Sequence, residues 1–152
     1  MKDVQQVGWL ARLFNRIMGF LFRWGLAPAY GHELVVLGRK TGRVHTTPVN
    51  LLRYEGVPYL VAPRGETQWV KNVRALGEAT LRRGSVENRY RFSEVDASAR
   101  PPILALYLST FRSQVQGFFS VKAGEPLEAF AKIASRHPVF QLIPLEAGRA
   151  SG

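Results

Sequence analysis

The chain contains no cysteine in 152 residues. That absence excludes a disulfide framework, a thiolate nucleophile and cysteine-ligated zinc or iron, and it fits a cytoplasmic protein. Histidine is scarce too: His32, His45 and His137 are widely scattered, without the spacing of a metal site, so no metal is expected. Acidic residues are few. Eleven Asp and Glu stand against 21 Lys and Arg, a formal charge of +10, which points to an anionic partner: nucleic acid, an acidic membrane surface or a phosphorylated small molecule. No paired carboxylates share a helix face and no Ser-His-Asp set is apparent, which argues against a hydrolase. Repeats and low-complexity linkers are missing as well, and the length suits one globular domain with a proper core.

An uninterrupted hydrophobic run is also lacking. Residues 7–26, VGWLARLFNRIMGFLFRWGL, come nearest, but Arg12, Arg16 and Arg23 break the run, and crossing a bilayer takes about 20 apolar residues. Nor is it a clean signal core. Wound at about 100° per residue, the three arginines fall in one narrow arc with Asn15, Gly8 and Gly19, while Trp9, Leu13, Phe20 and Trp24 belong to a wide apolar face. This reads as an amphipathic helix ended by Pro28. It either caps the domain's own core or a dimer, or lies on a membrane surface, here the inner face of the cell membrane. The division expected is an N-terminal helix over residues 1–30, a cofactor-binding domain over 31–146 and a flexible tail over 147–152.

Beyond the helix the period changes. Residues 32–37 (HELVVL), 46–54 (TTPVNLLRY) and 58–62 (PYLVA) read as three strands, the last two joined by a hairpin through Glu55, Gly56 and Val57. Thr67 is expected to cap a short helix with Trp69, Val73 and Leu76 on one face, ending at Gly77. Strands over 78–83 and 88–95 flank a Gly84-Ser85 turn; helices over 103–110 and 126–136 and a strand over 139–145 follow. The pattern implies an α+β domain, and a small barrel would remove exposed sheet edges.

Within that frame the stretch GRKTGRVHTTP, residues 38–48, stands out. Gly38 and Gly42 let the backbone turn with its N–H groups converging, Arg39, Lys40 and Arg43 add positive charge, and Thr41, Thr46 and Thr47 add hydroxyls. Such a loop can hold an anion, although the same residues also make a plain solvated hairpin tip. It is not the P-loop, in which Lys and Ser or Thr open a helix; here a strand follows.

Gly38-Arg39-Lys40-Thr41-Gly42, then Thr46-Thr47-Pro48, Tyr59-Leu60-Val61-Ala62 and Trp69-x-x-Asn72-x-Arg74-Ala75 together resemble the deazaflavin (F420)-dependent nitroreductase family, over residues 33–95. The resemblance implies a split β-barrel related to FMN-binding, pyridoxamine-phosphate oxidase-like proteins, and coenzyme F420, a deazaflavin with a phosphate and an oligoglutamate tail; FMN is the alternative cofactor. It implies that Arg39, Lys40, Thr41 and Gly42 receive the phosphate, that Thr47, Pro48 and Val49 run beside the ring, that Ala62, Pro63, Arg64 and Gly65 close over it, and that Trp69, Asn72 and Val73 complete the pocket. His45 stands where the family usually has arginine, which lowers the expected phosphate affinity unless Arg43 or a protonated imidazole compensates. Pro63-Arg64-Gly65-Glu66 replaces Ser-Lys-Gly-Gly, removing a hydroxyl and adding an acid at the pocket mouth. Tyr107, Phe111, Phe118 and Phe119 are the candidates for contact with the acceptor.

The activity implied is hydride transfer from reduced F420 to a planar apolar acceptor such as a quinone, nitroaromatic or enone. That reaction asks the protein chiefly to position the ring and exclude water, and no catalytic side chain is assigned. A non-catalytic module binding deazaflavin, fatty acid or haem in the same barrel is the alternative. The Arg89-Tyr90-Arg91-Phe92 alternation and the high charge raise single-stranded nucleic acid as a third, weaker reading. A homodimer is expected only by analogy with related barrels.

Overall fold

The computed structural model describes residues 31–145 and, in the N-terminal segment, Arg16 alone, an exposed helical residue. The expected amphipathic helix otherwise lies outside the described residues, as does the tail after 145. No helix among the described residues is long and apolar enough to cross a membrane.

Seven strands form one antiparallel sheet: β1 (Gly31–Leu37), β2 (Val44–Asn50), β3 (Leu52–Tyr54), β4 (Val57–Val61), β5 (Glu78–Arg83), β6 (Val86–Glu94) and β7 (Val139–Pro144). Their order is β2-β1-β5-β6-β7-β4-β3. Helix α1 (Gln68–Leu76) connects β4 to β5, and α2 (Pro101–Thr110), α3 (Arg112–Val115) and α4 (Leu127–Ile133) lie between β6 and β7. The sheet curls until β2 comes back against β4, giving a split β-barrel.

The single strand expected over 46–54 is in fact two. β2 pairs with β1 and β3 pairs with β4, so consecutive strands occupy opposite edges of the sheet, joined through the buried Leu51. The chain turns a barrel corner there, which a continuous apolar and β-branched run does not announce. The β3–β4 hairpin turns on Glu55 (φ 51°) and Gly56 (φ 78°), both left-handed as a type I′ turn requires.

Period-two alternation sorts the side chains into two cores. Leu60 of β4 and Phe140 of β7 join Leu34, Leu81, Phe92, Val70 and Val73 inside the barrel under α1. Their neighbours Val61 and Val139 join Leu104, Leu108, Phe130 and Ile133 beneath the later helices. The basic-aromatic alternation of β6 resolves the same way: Phe92 is buried and Tyr90 packs against the barrel core, so neither ring is offered to a nucleic-acid base.

Several arginines hold the frame together. Arg100, only 7 % exposed, donates to the carbonyls of Val95 (2.8 Å) and Ala134 (2.9 Å) and to Glu94 (3.1 Å). Glu33 is buried and met by Arg82, and Arg89 is met by Glu78.

Candidate functional site

The seam where β2 approaches the end of β4 opens into a cavity of about 500 Å³, within the range of pockets that take small molecules and cofactors. β2 supplies Thr46 to Asn50, the end of β4 and the following turn supply Val61 to Arg64, and the start of α1 supplies Thr67, Gln68 and Trp69. Tyr107, Gln114 and Val115 reach in from the later helices. Apolar walls with scattered hydroxyl and amide groups result, and no carboxylate among the described residues lines the space.

Of the residues the sequence singled out, Thr47, Pro48, Val49, Ala62, Pro63, Arg64 and Trp69 line the cavity. Trp69 serves two roles, since its ring also packs 5.8 Å from that of Phe140 in the core. Val73 is core, only 1 % exposed, and does not reach the cavity. Asn72 is buried and holds Arg39: one carboxamide oxygen accepts from the Arg39 backbone N–H (3.1 Å) and its guanidinium (2.8 Å), which also donates to Gln68 Oε1 (3.1 Å). Arg39 is thus tied to α1 by the contacts that place the loop.

Residues 38–43 form a closed turn. Gly38 N–H donates to the Arg43 carbonyl (2.7 Å), Gly42 N–H to the Gly38 carbonyl (2.9 Å), and Arg43 N–H to the Thr41 hydroxyl (3.2 Å). Gly42 sits at φ 73°, where a side chain would be strained. At Gly38 a Cβ would meet His45 Nε2 at 2.9 Å, so the His45 ring lies directly over that glycine. Lys40 is exposed, with no ion pair among the described residues. The loop therefore presents a free ammonium, but the expected converging backbone N–H groups are not free: those of Gly38, Arg39, Gly42 and Arg43 are all taken up within the fold.

Glu66, expected as an acid at the mouth, is taken up by Arg74 at 2.5 Å, and that guanidinium holds its carboxyl below the usual carboxylate range. Arg74 also grips Glu94 (2.7 Å). Gly65 (φ 86°) shapes the turn behind the cavity wall.

Thr67 occupies the cap position of α1 in extended backbone, yet its side chain makes no cap bond. Its hydroxyl is the only buried side-chain polar atom without a partner among the described residues. An orphaned hydroxyl is costly unless something supplies a bond. Together with the acid-free lining and the unpaired Lys40 at the loop, it fits a polar, anionic, ring-bearing cofactor.

Tyr107 is 3 % exposed and stacks among Phe111 (5.1 Å between centroids) and Phe119 (6.3 Å), both core residues. Burial pushes its phenol well up, against a smaller downward pull from a hydrogen bond with Asn50, so it stays protonated. Asn50 is itself fixed by donating to Gln114 Oε1 (2.8 Å). Asn50, Gln114 and Val115 escaped the sequence reading, because α3 reaches β2 only through the fold. Thr46, by contrast, was visible as a hydroxyl in the loop motif.

The model of the F420H(2)-dependent quinone reductase family matches residues 30–112, more than half of the chain. The chain belongs to that family. It is therefore an oxidoreductase whose cofactor is coenzyme F420, and the match encloses the segment on which the resemblance rested. A solved F420-H2 dependent reductase (FDR-A) superposes with a TM-score of 0.51 at 16% identity, over 75% of this chain and 94% of that one. A structure described as a domain-swapped dimer gives 0.53 at 16%, over 90% and 98%. A Listeria innocua protein of the pyridoxamine 5'-phosphate oxidase type gives 0.52 at 15%, over 88% and 94%. At such identities these likenesses show the fold, the split β-barrel. No curated protein matches the sequence of this F420H(2)-dependent quinone reductase family member significantly.

Proposed function

We propose that the cavity holds F420 with its phosphate at residues 38–43 and its ring between β2 and the Val61–Arg64 segment, and that a planar apolar acceptor, a quinone before a nitroaromatic or enone, is reduced there. The observation that carries this reading is the convergence of Thr47, Pro48, Val49, Ala62, Pro63, Arg64 and Trp69 on one acid-free cavity beside the cationic turn.

When bound, the reduced coenzyme supplies a hydride from its ring carbon. Lys40 and the Thr41 hydroxyl would pair with the phosphate, while Arg39, held by Asn72 and Gln68, keeps the turn against α1. Val49, Val61, Ala62 and Val115 exclude water from the ring's surroundings. Tyr107, protonated and fixed through Asn50, donates a hydrogen bond to the acceptor oxygen on which negative charge develops. His45, resting on Gly38, sits beside the phosphate position rather than against the ring.

A homodimer is part of the proposal, supported by the domain-swapped dimer among the similar folds. So is contact of residues 7–26 with the inner face of the membrane, which suits a lipid-like quinone and rests on the sequence pattern alone.

The deciding experiment titrates purified protein with reduced and oxidised F420 and with FMN, then follows F420H2 oxidation with a soluble naphthoquinone. Tight F420 binding with quinone-dependent oxidation is expected. Tight FMN binding with none for F420 would sink the assignment.

A further inference from the structure

Arg64 and Arg136 have no acidic partner among the described residues, as is also true of the exposed Arg43, Arg53, Arg91 and Arg112, but these two share a cavity wall. Both line a second cleft of about 450 Å³, walled otherwise by Pro63, Phe118, Ser120 and His137. Pro63 and Arg64 belong to this cleft and to the main cavity, so the two spaces adjoin. None of residues 38–48 lines the second cleft, and neither does any carboxylate among the described residues.

The cleft is held by fixed contacts. The Arg64 guanidinium lies over the Phe118 ring, 5.6 Å from its centroid, which orients the cation and leaves its edge N–H groups for a ligand. At Gly65 an added Cβ would come within 3.3 Å of the Arg136 carbonyl, so the turn carrying Arg64 and the segment carrying Arg136 approach closely. Behind them His137 stacks on Phe119 (4.2 Å, 21°), and its Nδ1 donates to the Pro63 carbonyl (3.0 Å). Two guanidiniums facing one cleft without an acid repel each other, and a bound anion turns that repulsion into two charge-assisted contacts.

We infer that this cleft binds an anionic substituent, a carboxylate or its equivalent, carried by the acceptor that is reduced in the adjoining cavity. The inference rests on the placement of coenzyme and acceptor proposed above, and adds an acidic side arm to an otherwise apolar acceptor. The coenzyme's oligoglutamate tail offers the same chemistry, but it follows the phosphate, and the phosphate turn contributes nothing to the cleft.

The test compares anthraquinone-2-carboxylate with the neutral anthraquinone-2-carboxamide, by direct binding to the protein with and without F420. The carboxylate is expected to bind about tenfold tighter or more, the worth of a charge-assisted hydrogen bond. Arg136→Gln should remove most of that gap, Arg64→Gln should do so independently, and Arg136→Lys should keep part of it. Arg53→Gln, which deletes an exposed charge on β3 outside both spaces, should leave the gap intact.

Equal binding of the two probes by wild type overturns the inference, as does an equal loss in Arg53→Gln, which would mean net charge alone. If Arg136→Gln weakens long-tailed F420 but not a form with a single glutamate, the cleft belongs to the tail and the inference fails. Coenzyme affinity on the same samples separates the two readings. Discrimination without F420 binding keeps the cleft and removes the coenzyme placement; F420 binding without discrimination does the reverse.

Discussion

The side-chain oxygen of Asn72 accepts from both the backbone N–H and the guanidinium of Arg39, at 3.1 and 2.8 Å, and so clamps the glycine-flanked turn onto helix α1. Asn72 is 4 % exposed, and Asn72→Leu takes the acceptor from the half-buried Arg39 N–H and leaves its guanidinium only Gln68, at a cost of about 1–3 kcal/mol. The expected outcome is a lower Tm together with weaker F420 binding, measured by thermal unfolding and fluorescence titration. A Tm loss without any change in affinity would separate the clamp from the phosphate turn.

Lys40 has no ion pair among the described residues, and neither has Arg43 of the same turn. Lys40→Ala should weaken F420 by roughly 10- to 100-fold, the value of a charge-assisted contact, and leave the phosphate-free deazaflavin unaffected. Conversely, His45→Arg should tighten F420, because a guanidinium adds a permanent charge over Gly38. Parallel titrations with the two deazaflavins check both.

Tyr107→Phe keeps the packing against Phe111 and Phe119 while removing the protonated phenol. kcat should fall about 10- to 100-fold with F420 affinity unchanged. Steady-state kinetics beside a coenzyme titration read the difference, and an unchanged kcat would remove the phenol from the reaction.

His137 gives a pH signature. Burial pulls its imidazole below the ordinary 6.5, opposed by hydrogen bonds with the Pro63 and Ala62 carbonyls and reinforced by Arg136. With the folded value lowered, the unfolded chain takes up the proton first as pH falls, so stability declines from about 6.5 down to the folded value and then levels. The Tm difference between wild type and His137→Asn should shift across that window. A pH-independent difference would contradict it.

Arg100 ties the end of β6 to the turn after α4 through three hydrogen bonds. Arg100→Met removes the donor to the half-buried Val95 carbonyl and one of the donors to the Ala134 carbonyl and to Glu94, which keep His137 N–H and Arg74, and should cost about 1–3 kcal/mol, read by urea unfolding. Activity of the folded fraction should persist, since Arg100 lines neither cavity nor cleft.

Much of this architecture was legible beforehand. A short apolar, β-branched run marked β1, the Gly84-Ser85 turn separated β5 from the alternating β6, and Gly77 ended α1 in the left-handed conformation expected of it. The loop motif located one wall of the cavity and the residues after β4 located another. What escaped has a common physical origin, in partners brought together only by folding. Thr67 looked like a cap but leaves its hydroxyl unbonded, Glu66 looked like a mouth acid but is neutralised by Arg74, and Gln114 meets Asn50 from 64 residues away. The division at Leu51 was hidden because both strands it separates carry the same kind of residues.

That division has a mechanical consequence. Since one residue links the first and last staves of the barrel, its length acts as a gauge for the aperture between them. Lengthening the joint would let the slot gape and admit bulkier oxidants.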